Sequence, residues 1–194
     1  MTCWQCHEPV SAPAPVREEP TVPACVGCGA LQPPPPRPDP FVVFGLPPRW
    51  HLDLAALDAR WKALARKVHP DRFAGRPATE RRLALAWTAA VNEARRVLRD
   101  PTRRAWLLAT GSPDAPERGG TLDPAFLAQV FAWREEDEES PGAFARLSAA
   151  ARADTEAALD TTFTAWEEGH GDLSGVPALL FRARTLAGHA PAET

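Results

Sequence analysis

The sequence predicts a mainly α-helical protein that carries a small cysteine-rich module at its N-terminus. Three observations predict this fold class. All four cysteines fall within the first 28 residues, and from residue 41 onward apolar residues recur at the three-and-four spacing of helices. No alternating strand pattern appears outside the cysteine-rich segment. At 194 residues the chain can form one domain of ordinary size or two small ones.

Composition excludes some classes of function. The formal net charge is −3 and the pI is about 6.0, which argues against a chain whose main role is electrostatic binding to nucleic acid or anionic lipid. No apolar run approaches the length needed to span a bilayer. Cys3 already belongs to a motif, so we expect no leader ahead of it. These features predict residence in a bacterial cytoplasm.

The cysteines have the spacing C-x2-C-x18-C-x2-C and are Cys3, Cys6, Cys25 and Cys28. Each C-x2-C pair can turn two thiolates toward one point, and two such knuckles complete the tetrahedral sulfur shell that zinc favours. The pattern predicts one zinc ion in a zinc-ribbon-like module over residues 1–31. Because protein fills all four positions, the ion would be structural.

Other interpretations of the cysteines remain open. Iron suits the same sulfur cage, and two disulfides are the alternative, although cytosolic thiols stay reduced. His7, next to Cys6, could replace one thiolate as a ligand. After this module, residues 32–40 read QPPPPRPDP and predict a stiff polyproline linker between the module and the helical part of the chain.

A pair of amphipathic helices is predicted within residues 41–111. Asp53 is a suitable N-cap for the first, whose buried face comprises Leu54, Leu57, Trp61, Leu64 and Val68. The cations Lys62, Arg66 and Lys67 project from its opposite side, and Pro70 ends it at His69. The second helix runs from about Thr79 to Arg99 and packs antiparallel to the first. Asp100 and Pro101 then open a short helix that stops near Gly111.

Three further helices are predicted in residues 122–189. They begin at Asp123-Pro124, at Ser140-Pro141 and near Ser174, and the second is the longest. Three amphipathic helices in succession are enough to form a helical bundle.

The segment RKVHPDRFAG at 66–75 places His69, Pro70 and Asp71 between the first two helices. The tripeptide alone is explained by a helix that stops at a proline, with His69 placed favourably at the helix C-terminus. A catalytic interpretation is weaker, because no nucleophile or open metal site lies nearby in sequence.

The surroundings of this tripeptide change the interpretation. A basic helical face that leads into a His-Pro-Asp loop, with a second helix ending VNEARRVLRDPTRRAWLL at 91–108, resembles a J domain. The resemblance implies that loop and basic helix dock on a heat-shock chaperone of the HscA/DnaK type and stimulate its ATP hydrolysis. The chain itself would then not be an enzyme. The implied chaperone-binding residues are His69, Pro70, Asp71, Lys62, Arg66, Lys67 and Arg72.

Further stretches narrow the resemblance. PFVVFGLPPRWHLDLAALDARW at 40–61 and DPAFLAQVFAWREEDEE at 123–139, together with the J-domain tail, resemble the HscB family of J-type co-chaperones in iron–sulfur cluster biogenesis. The cysteine module with its trailing CGALQPPPP at 28–36 looks like the zinc-bearing form of that family. The resemblance implies that the C-terminal bundle binds IscU, the scaffold on which the cluster is built.

The helical pattern offers independent support for a partner surface. In the last helix Phe181 lands nearly opposite the apolar face, so it is exposed unless something covers it. In the helix that starts at Asp123, Leu127 and Phe131 lie on a flank displaced from the core stripe of Phe126, Val130 and Trp133. The scaffold-binding positions implied by the resemblance are Leu127, Ala128, Phe131, Ala132, Glu135, Glu139 and Phe181.

Two departures and two alternatives apply to this surface. Ala128 and Ala132 are smaller than the Met and Glu usual at those places, which predicts a shallower patch. Alternatively, Leu127 and Phe131 complete the bundle core, and the acidic run REEDEE is simply a solvated helix end. For the whole chain, the other candidates are a zinc-ribbon nucleic-acid-binding protein, whose affinity would fall steeply with salt, and a thiol or iron redox carrier.

Overall fold

A computed structural model describes residues 2–10, 24–116 and 123–187 of the chain. In this part the regular structure is helical, which confirms the mainly α prediction, and two isolated β-bridges, Thr2 to Pro9 and Ala24 to Leu31, lie in the cysteine module. The elements are α1 (Pro40–Phe44), α2 (Leu54–Val68), the 3-10 turn η1 (Pro70–Phe73), α3 (Ala78–Arg99), α4 (Pro101–Thr110), α5 (Pro124–Glu139), α6 (Ala143–Glu167) and α7 (Val176–Ala187).

The chain forms two compact units, Met1–Pro101 and Thr102–Thr194. The first contains the cysteine module and α1 to α3, and the second contains α4 to α7. Residue 122 and residues 188–189, at the edges of the predicted bundle, lie outside the described residues. The finer division into 1–31, 32–40, 41–111 and 122–189 stays a prediction.

The helix pair α2 and α3 is antiparallel. Successive contacts show this, because Asp58 near the start of α2 meets Arg99 at the end of α3, Trp61 meets Asn92, and the carbonyl of Val68 meets Thr88. As predicted, Asp53 caps α2 by accepting hydrogen bonds from the amides of Ala55 and Ala56 at 2.9 and 3.0 Å. One assignment to the buried face is wrong. Leu54 is exposed, and it is the first residue of the helix.

Polar contacts hold α2 against α3 beside the apolar seam. Asp58 accepts hydrogen bonds from Arg95 and Arg99 at 2.9 and 2.6 Å. The hydrogen bond from Arg95, assisted by Arg99, keeps the pKa of the Asp58 carboxyl below its usual value despite partial burial. The Arg95 guanidinium also lies over the ring of Trp61, 4.3 Å from its centroid. These contacts fix the register of the two helices.

The second unit contains a bundle of α5, α6 and α7. Its core includes Phe126, Val130 and Trp133 of α5 together with Ala151 of α6 and Leu186 of α7. The predicted start of α6 at Ser140-Pro141 is two residues early, because the left-handed backbone of Gly142, with φ of 91°, comes first. Within the described helices, none has both the length and the hydropathy needed to cross a bilayer.

Asp137 of α5 supplies the missing cap of α6. Its Oδ1 accepts hydrogen bonds from the amides of Gly142 at 2.9 Å and Phe144 at 3.0 Å. Gly142 has no side chain to cap the helix, so the carboxylate of the preceding helix satisfies these donors. Asp137 therefore links α5 to α6 and is not merely part of a solvated acidic run.

Candidate functional sites

The His-Pro-Asp loop is a short, hydrogen-bonded turn. His69 leaves the helical region with φ of −57° and ψ of 131°, as expected for a residue before proline. The amide of Arg72 then donates a hydrogen bond to the carbonyl of His69 at 3.0 Å, and the amide of Ala74 donates one to the carbonyl of Asp71 at 3.3 Å. Backbone hydrogen bonds thus set the shape of this loop, and η1 also contacts α3.

Both ionisable side chains of the loop face solvent. The side chain of His69 is 55% exposed and that of Asp71 is 90% exposed. The Nδ1 atom of His69 accepts a hydrogen bond from the amide of Asp71 at 3.3 Å, which assigns the proton of the neutral ring to Nε2. The Asp71 carboxylate lies 3.5 Å from the same Nδ1 and would pair with it only in the protonated ring. The predicted exposure of both groups is confirmed.

The predicted basic stripe on α2 is only partly exposed. Lys62 and Arg66 are exposed, as is Arg72 of η1, and the Nε of Arg66 donates to the carbonyl of Lys62 at 3.2 Å. Lys67 is half-buried, which corrects its assignment to the solvent-facing side. The reason is its position, because Lys67 directly precedes the buried Val68 and lies nearly one turn after the buried Leu64.

The four cysteines converge in the first unit. Their sulfur atoms all lie within 4.8 Å of one another, with Cys3 Sγ 3.7 Å from Cys28 Sγ and Cys6 Sγ 3.6 Å from Cys25 Sγ. A disulfide needs about 2.05 Å between its sulfurs, so the disulfide alternative is wrong for this geometry. Metal–sulfur distances of about 2.3 Å in a tetrahedron place sulfurs about 3.8 Å apart. The cluster therefore has the dimensions of a four-thiolate metal site.

The two knuckles have the same backbone pattern. In the first, the amide of His7 donates to the carbonyl of Cys3 at 3.1 Å, and in the second the amide of Gly29 donates to that of Cys25 at 2.8 Å. Both His7 and Gly29 have positive φ, of 64° and 72°. His7 thus closes a turn, and the group of potential ligands consists of the four cysteines without it.

Electrostatics within the cluster favour a bound cation. Burial opposes ionisation of Cys3, but amide hydrogen bonds from Cys6 and Gln5, together with contacts to the other thiols, lower its pKa to about 6. For Cys6, a hydrogen bond from the amide of Glu8 lowers the pKa. Burial and the neighbouring thiols outweigh this bond and raise the pKa of Cys6 to about 12. Thiolates this close repel one another, and a divalent cation would remove that repulsion.

The cysteine module packs against α3, so the proline-rich segment does not hold it away from the helices. Glu80 of α3 accepts a hydrogen bond from the amide of Leu31 at 3.3 Å, and Trp87 of α3 donates to the carbonyl of Gln32 at 2.7 Å. Gln32 and Glu80 are almost fully buried. Sequence reasoning missed these contacts, although a Glu and a Trp seven residues apart share one helical face.

Six of the seven predicted scaffold-binding residues form an exposed surface on α5. Phe131 is 63% exposed and Leu127 is 37% exposed. The alternative that places both in the core is therefore wrong for Phe131, and Leu127 is also too exposed to be a core residue. The remaining four are also exposed: Ala128, Ala132, Glu135 and Glu139. These six residues define the α5 surface, which is an apolar patch with an acidic end.

Phe181, the seventh predicted residue, lies in a different environment. It is half-buried, and its ring meets that of Trp106 in α4 edge to face, with centroids 5.2 Å apart. Trp106 is buried and covers the side of α7 that the helical pattern leaves open. Sequence reasoning missed Trp106, since no pattern within α7 shows what packs against it.

Known proteins resemble this chain over much of its length. No protein-family model matches. A co-chaperone HscB homolog of Bordetella pertussis is 47% identical over 116 residues, which cover 57% of this chain and 68% of that protein. The homolog of Burkholderia multivorans is 44% identical over 105 residues, covering 53% of this chain and 60% of that protein.

Solved structures agree with these relatives. The match to the crystal structure of human co-chaperone protein HscB covers 97% of this chain and 94% of the human chain, with a TM-score of 0.71 and 29% identity. The match to the chaperone HscB from Vibrio cholerae covers 74% of this chain and 88% of the Vibrio chain, with a TM-score of 0.53 and 26% identity. Because it is 47% identical to the Bordetella pertussis homolog and matches the human structure over nearly its whole length, the chain belongs to the HscB family of co-chaperones.

Proposed function

We propose that this chain stimulates the ATPase of an HscA/DnaK-type chaperone through its J domain and delivers an IscU-type iron–sulfur scaffold through its C-terminal bundle. The chain would act in the bacterial cytoplasm and would itself catalyse no reaction. Both proposed partners are proteins, and neither nucleic acid nor membrane contributes to the proposed role.

The exposed His-Pro-Asp turn is the observation that carries the chaperone role. Three backbone hydrogen bonds hold residues 69–76 in one conformation, so His69 and Asp71 need little ordering on binding. The exposed cations Lys62, Arg66 and Arg72 would steer this face toward an acidic surface. Lys67 would contribute from the edge of the same face, since it is half-buried.

The α5 surface supports the scaffold role. The exposed Phe131 and Leu127 together form an apolar patch. Contact of such a patch with water does not stabilise the fold, and exposed apolar patches are typical of protein interaction sites. Aromatic side chains of this kind often dominate the binding energy of an interface. Glu135 and Glu139 would favour a partner with basic groups around its own apolar patch. Phe181 would add only its accessible part to this interface.

We further propose that Cys3, Cys6, Cys25 and Cys28 hold one structural zinc ion. The sulfur spacing fits the tetrahedral shell that zinc prefers, and the four thiolates leave no position for a reacting water. The ion would cross-link the two knuckles, which have no strand pairing beyond isolated bridges in the described residues. Its contribution is therefore to stability.

The variant His69→Gln tests the chaperone role. It removes the imidazole from an exposed position, so we expect loss of ATPase stimulation with helical content and unfolding temperature unchanged. The matched control is His170→Gln, another exposed histidine in a turn, which should stimulate like the unmodified chain. The measurement is steady-state ATP hydrolysis by the cognate chaperone with increasing co-chaperone. Full stimulation by His69→Gln would remove the J-domain role.

A further inference from the structure

Gln32 bridges the cysteine cluster and helix α3. Its side chain is 1% exposed, and its Nε2 donates to Cys3 Sγ at 3.3 Å and to the carbonyl of Ala30 at 2.8 Å. Its own backbone carbonyl accepts the indole N–H of Trp87 at 2.7 Å. Gln32 therefore contacts a potential metal-binding sulfur with its side chain and helix α3 with its backbone.

The neighbouring residue makes a second bridge of the same kind. The amide of Leu31 donates to Glu80 of α3, and its carbonyl accepts the indole N–H of Trp4 at 2.7 Å. Trp4 lies between the first two cysteines and packs against the cluster. Two consecutive residues thus bond to α3 and to the first knuckle, and all of these side chains except Trp4 are buried.

The chemistry of the bridge favours the metal-bound state. A thiolate accepts hydrogen bonds more strongly than a thiol, so the Gln32 amide stabilises Cys3 in the form that binds a cation. Hydrogen bonds from such outer groups orient metal ligands and raise metal affinity. For Gln32 to donate to Cys3, its backbone must stay in place, and Trp87 is the α3 residue that holds it.

We propose that Gln32 couples metal binding at the four cysteines to the packing of α3, so that the metal and the α2–α3 helix pair stabilise each other. This rests on the proposed metal site. Coupling of two equilibria is reciprocal, so the free energy by which bound metal strengthens the contact to α3 equals the free energy by which that contact favours metal binding. Because α3 also packs against η1, the metal cluster is tied to the helix that supports the His-Pro-Asp loop.

Gln32→Leu tests the bridge in the full-length chain. Leucine fills a similar volume and removes a side-chain oxygen that has no hydrogen-bond partner in the described residues. It also removes the two hydrogen bonds from Nε2, which costs some stability with or without zinc, although the Ala30 carbonyl keeps its bond from the amide of Cys25. The coupling is therefore measured from the zinc-dependent part of the stability. The coupling predicts zinc affinity about tenfold weaker and, with zinc in excess, about 1.4 kcal/mol less zinc-dependent stabilisation. The matched control is Gln5→Leu, which changes an exposed glutamine of the first knuckle.

Trp87→Phe tests the same coupling from the other side. It keeps an aromatic ring in place and removes the N–H that bonds to Gln32, so it should weaken zinc binding although it lies on α3. Zinc affinity is measured by competition with a chromophoric chelator. Stability is measured by chemical unfolding with and without zinc, and circular dichroism checks that each variant is helical.

The outcomes separate the inference from the proposals on which it rests. If Gln32→Leu and Trp87→Phe bind zinc as tightly as Gln5→Leu, the coupling is wrong while the zinc site stands. If the unmodified chain binds no zinc, the zinc proposal fails and the coupling fails with it. Neither result depends on chaperone stimulation, which the His69→Gln experiment tests by itself.

Discussion

The His-Pro-Asp loop and the α5 surface, the two surfaces proposed to bind partners, are built in different ways. The loop is polar, and backbone hydrogen bonds around Pro70 set its shape. The α5 surface is mainly apolar, and it exists because neighbouring helices leave one face of a regular helix uncovered. A surface of the first kind depends on local chain geometry, and one of the second kind depends on tertiary packing.

This difference predicts how each surface responds to mutation. The side chains of His69 and Asp71 are exposed, so their loss should affect binding without affecting stability. On the bundle, an exposed residue such as Phe131 should behave in the same way, whereas a half-buried residue such as Phe181 should affect both. The largest effect is expected for His69→Gln, which should abolish chaperone stimulation, and the bundle variants should have progressively smaller effects.

Phe131→Ala should give the largest effect on the bundle. Truncating an aromatic anchor commonly costs about 2 kcal/mol of binding, which corresponds to a scaffold affinity weaker by a factor of about 30. Stability should change by less than about 0.5 kcal/mol, because the side chain is 63% exposed. Isothermal titration with the scaffold measures the first quantity, and chemical unfolding measures the second.

The matched control for Phe131→Ala is Gln129→Ala, which lies two residues away on the exposed side of the same helix. It should bind the scaffold as the unmodified chain does. Equal losses for the two variants would show that binding depends on α5 as a whole, and no loss for Phe131→Ala would remove the α5 surface from the proposal.

Phe181→Ala should mainly affect stability. The ring is half-buried against Trp106, so we expect a loss of about 2 kcal/mol, less than for a fully buried phenylalanine. Scaffold affinity should fall by a smaller factor than for Phe131→Ala. Chemical unfolding and titration on the same samples compare the two effects. Unchanged stability would contradict the contact with Trp106 and return Phe181 to the exposed surface.

Asp137→Ala should have the smallest effect. It removes the carboxylate that accepts the amides of Gly142 and Phe144, and loss of such a cap costs about 1 kcal/mol. Glu138→Ala, an exposed neighbour in the same acidic run, should leave stability nearly unchanged. Thermal unfolding of the two variants distinguishes a structural carboxylate from a solvated one, and equal midpoints would contradict the capping role.

The features that sequence predicts best are those fixed by local chemistry. The end of α2 at His69 is a consequence of Pro70, the cap at Asp53 depends on its own side-chain oxygen, and the convergence of the cysteines depends on their spacing. Each needs only a few neighbouring residues to form. The same holds for the exposure of Phe131, because it lies on a helical face displaced from the core stripe.

The features that sequence missed depend on contacts between distant segments. The cover on Phe181 comes from Trp106 in another helix, and the cap of α6 comes from Asp137 across a turn. The contact of Gln32 with Trp87 joins residues 55 positions apart, although the proline run suggested separation. Periodicity within one helix cannot show which side chain from another segment covers it.

The most direct test of the account is ATP hydrolysis by the cognate chaperone, measured without scaffold for His69→Gln and Phe131→Ala side by side. If the loop activates the chaperone and the bundle only carries the scaffold, Phe131→Ala stimulates fully and His69→Gln does not stimulate. The proposed division of roles is contradicted if a folded His69→Gln stimulates as well as the unmodified chain, or if Phe131→Ala loses stimulation with the scaffold absent.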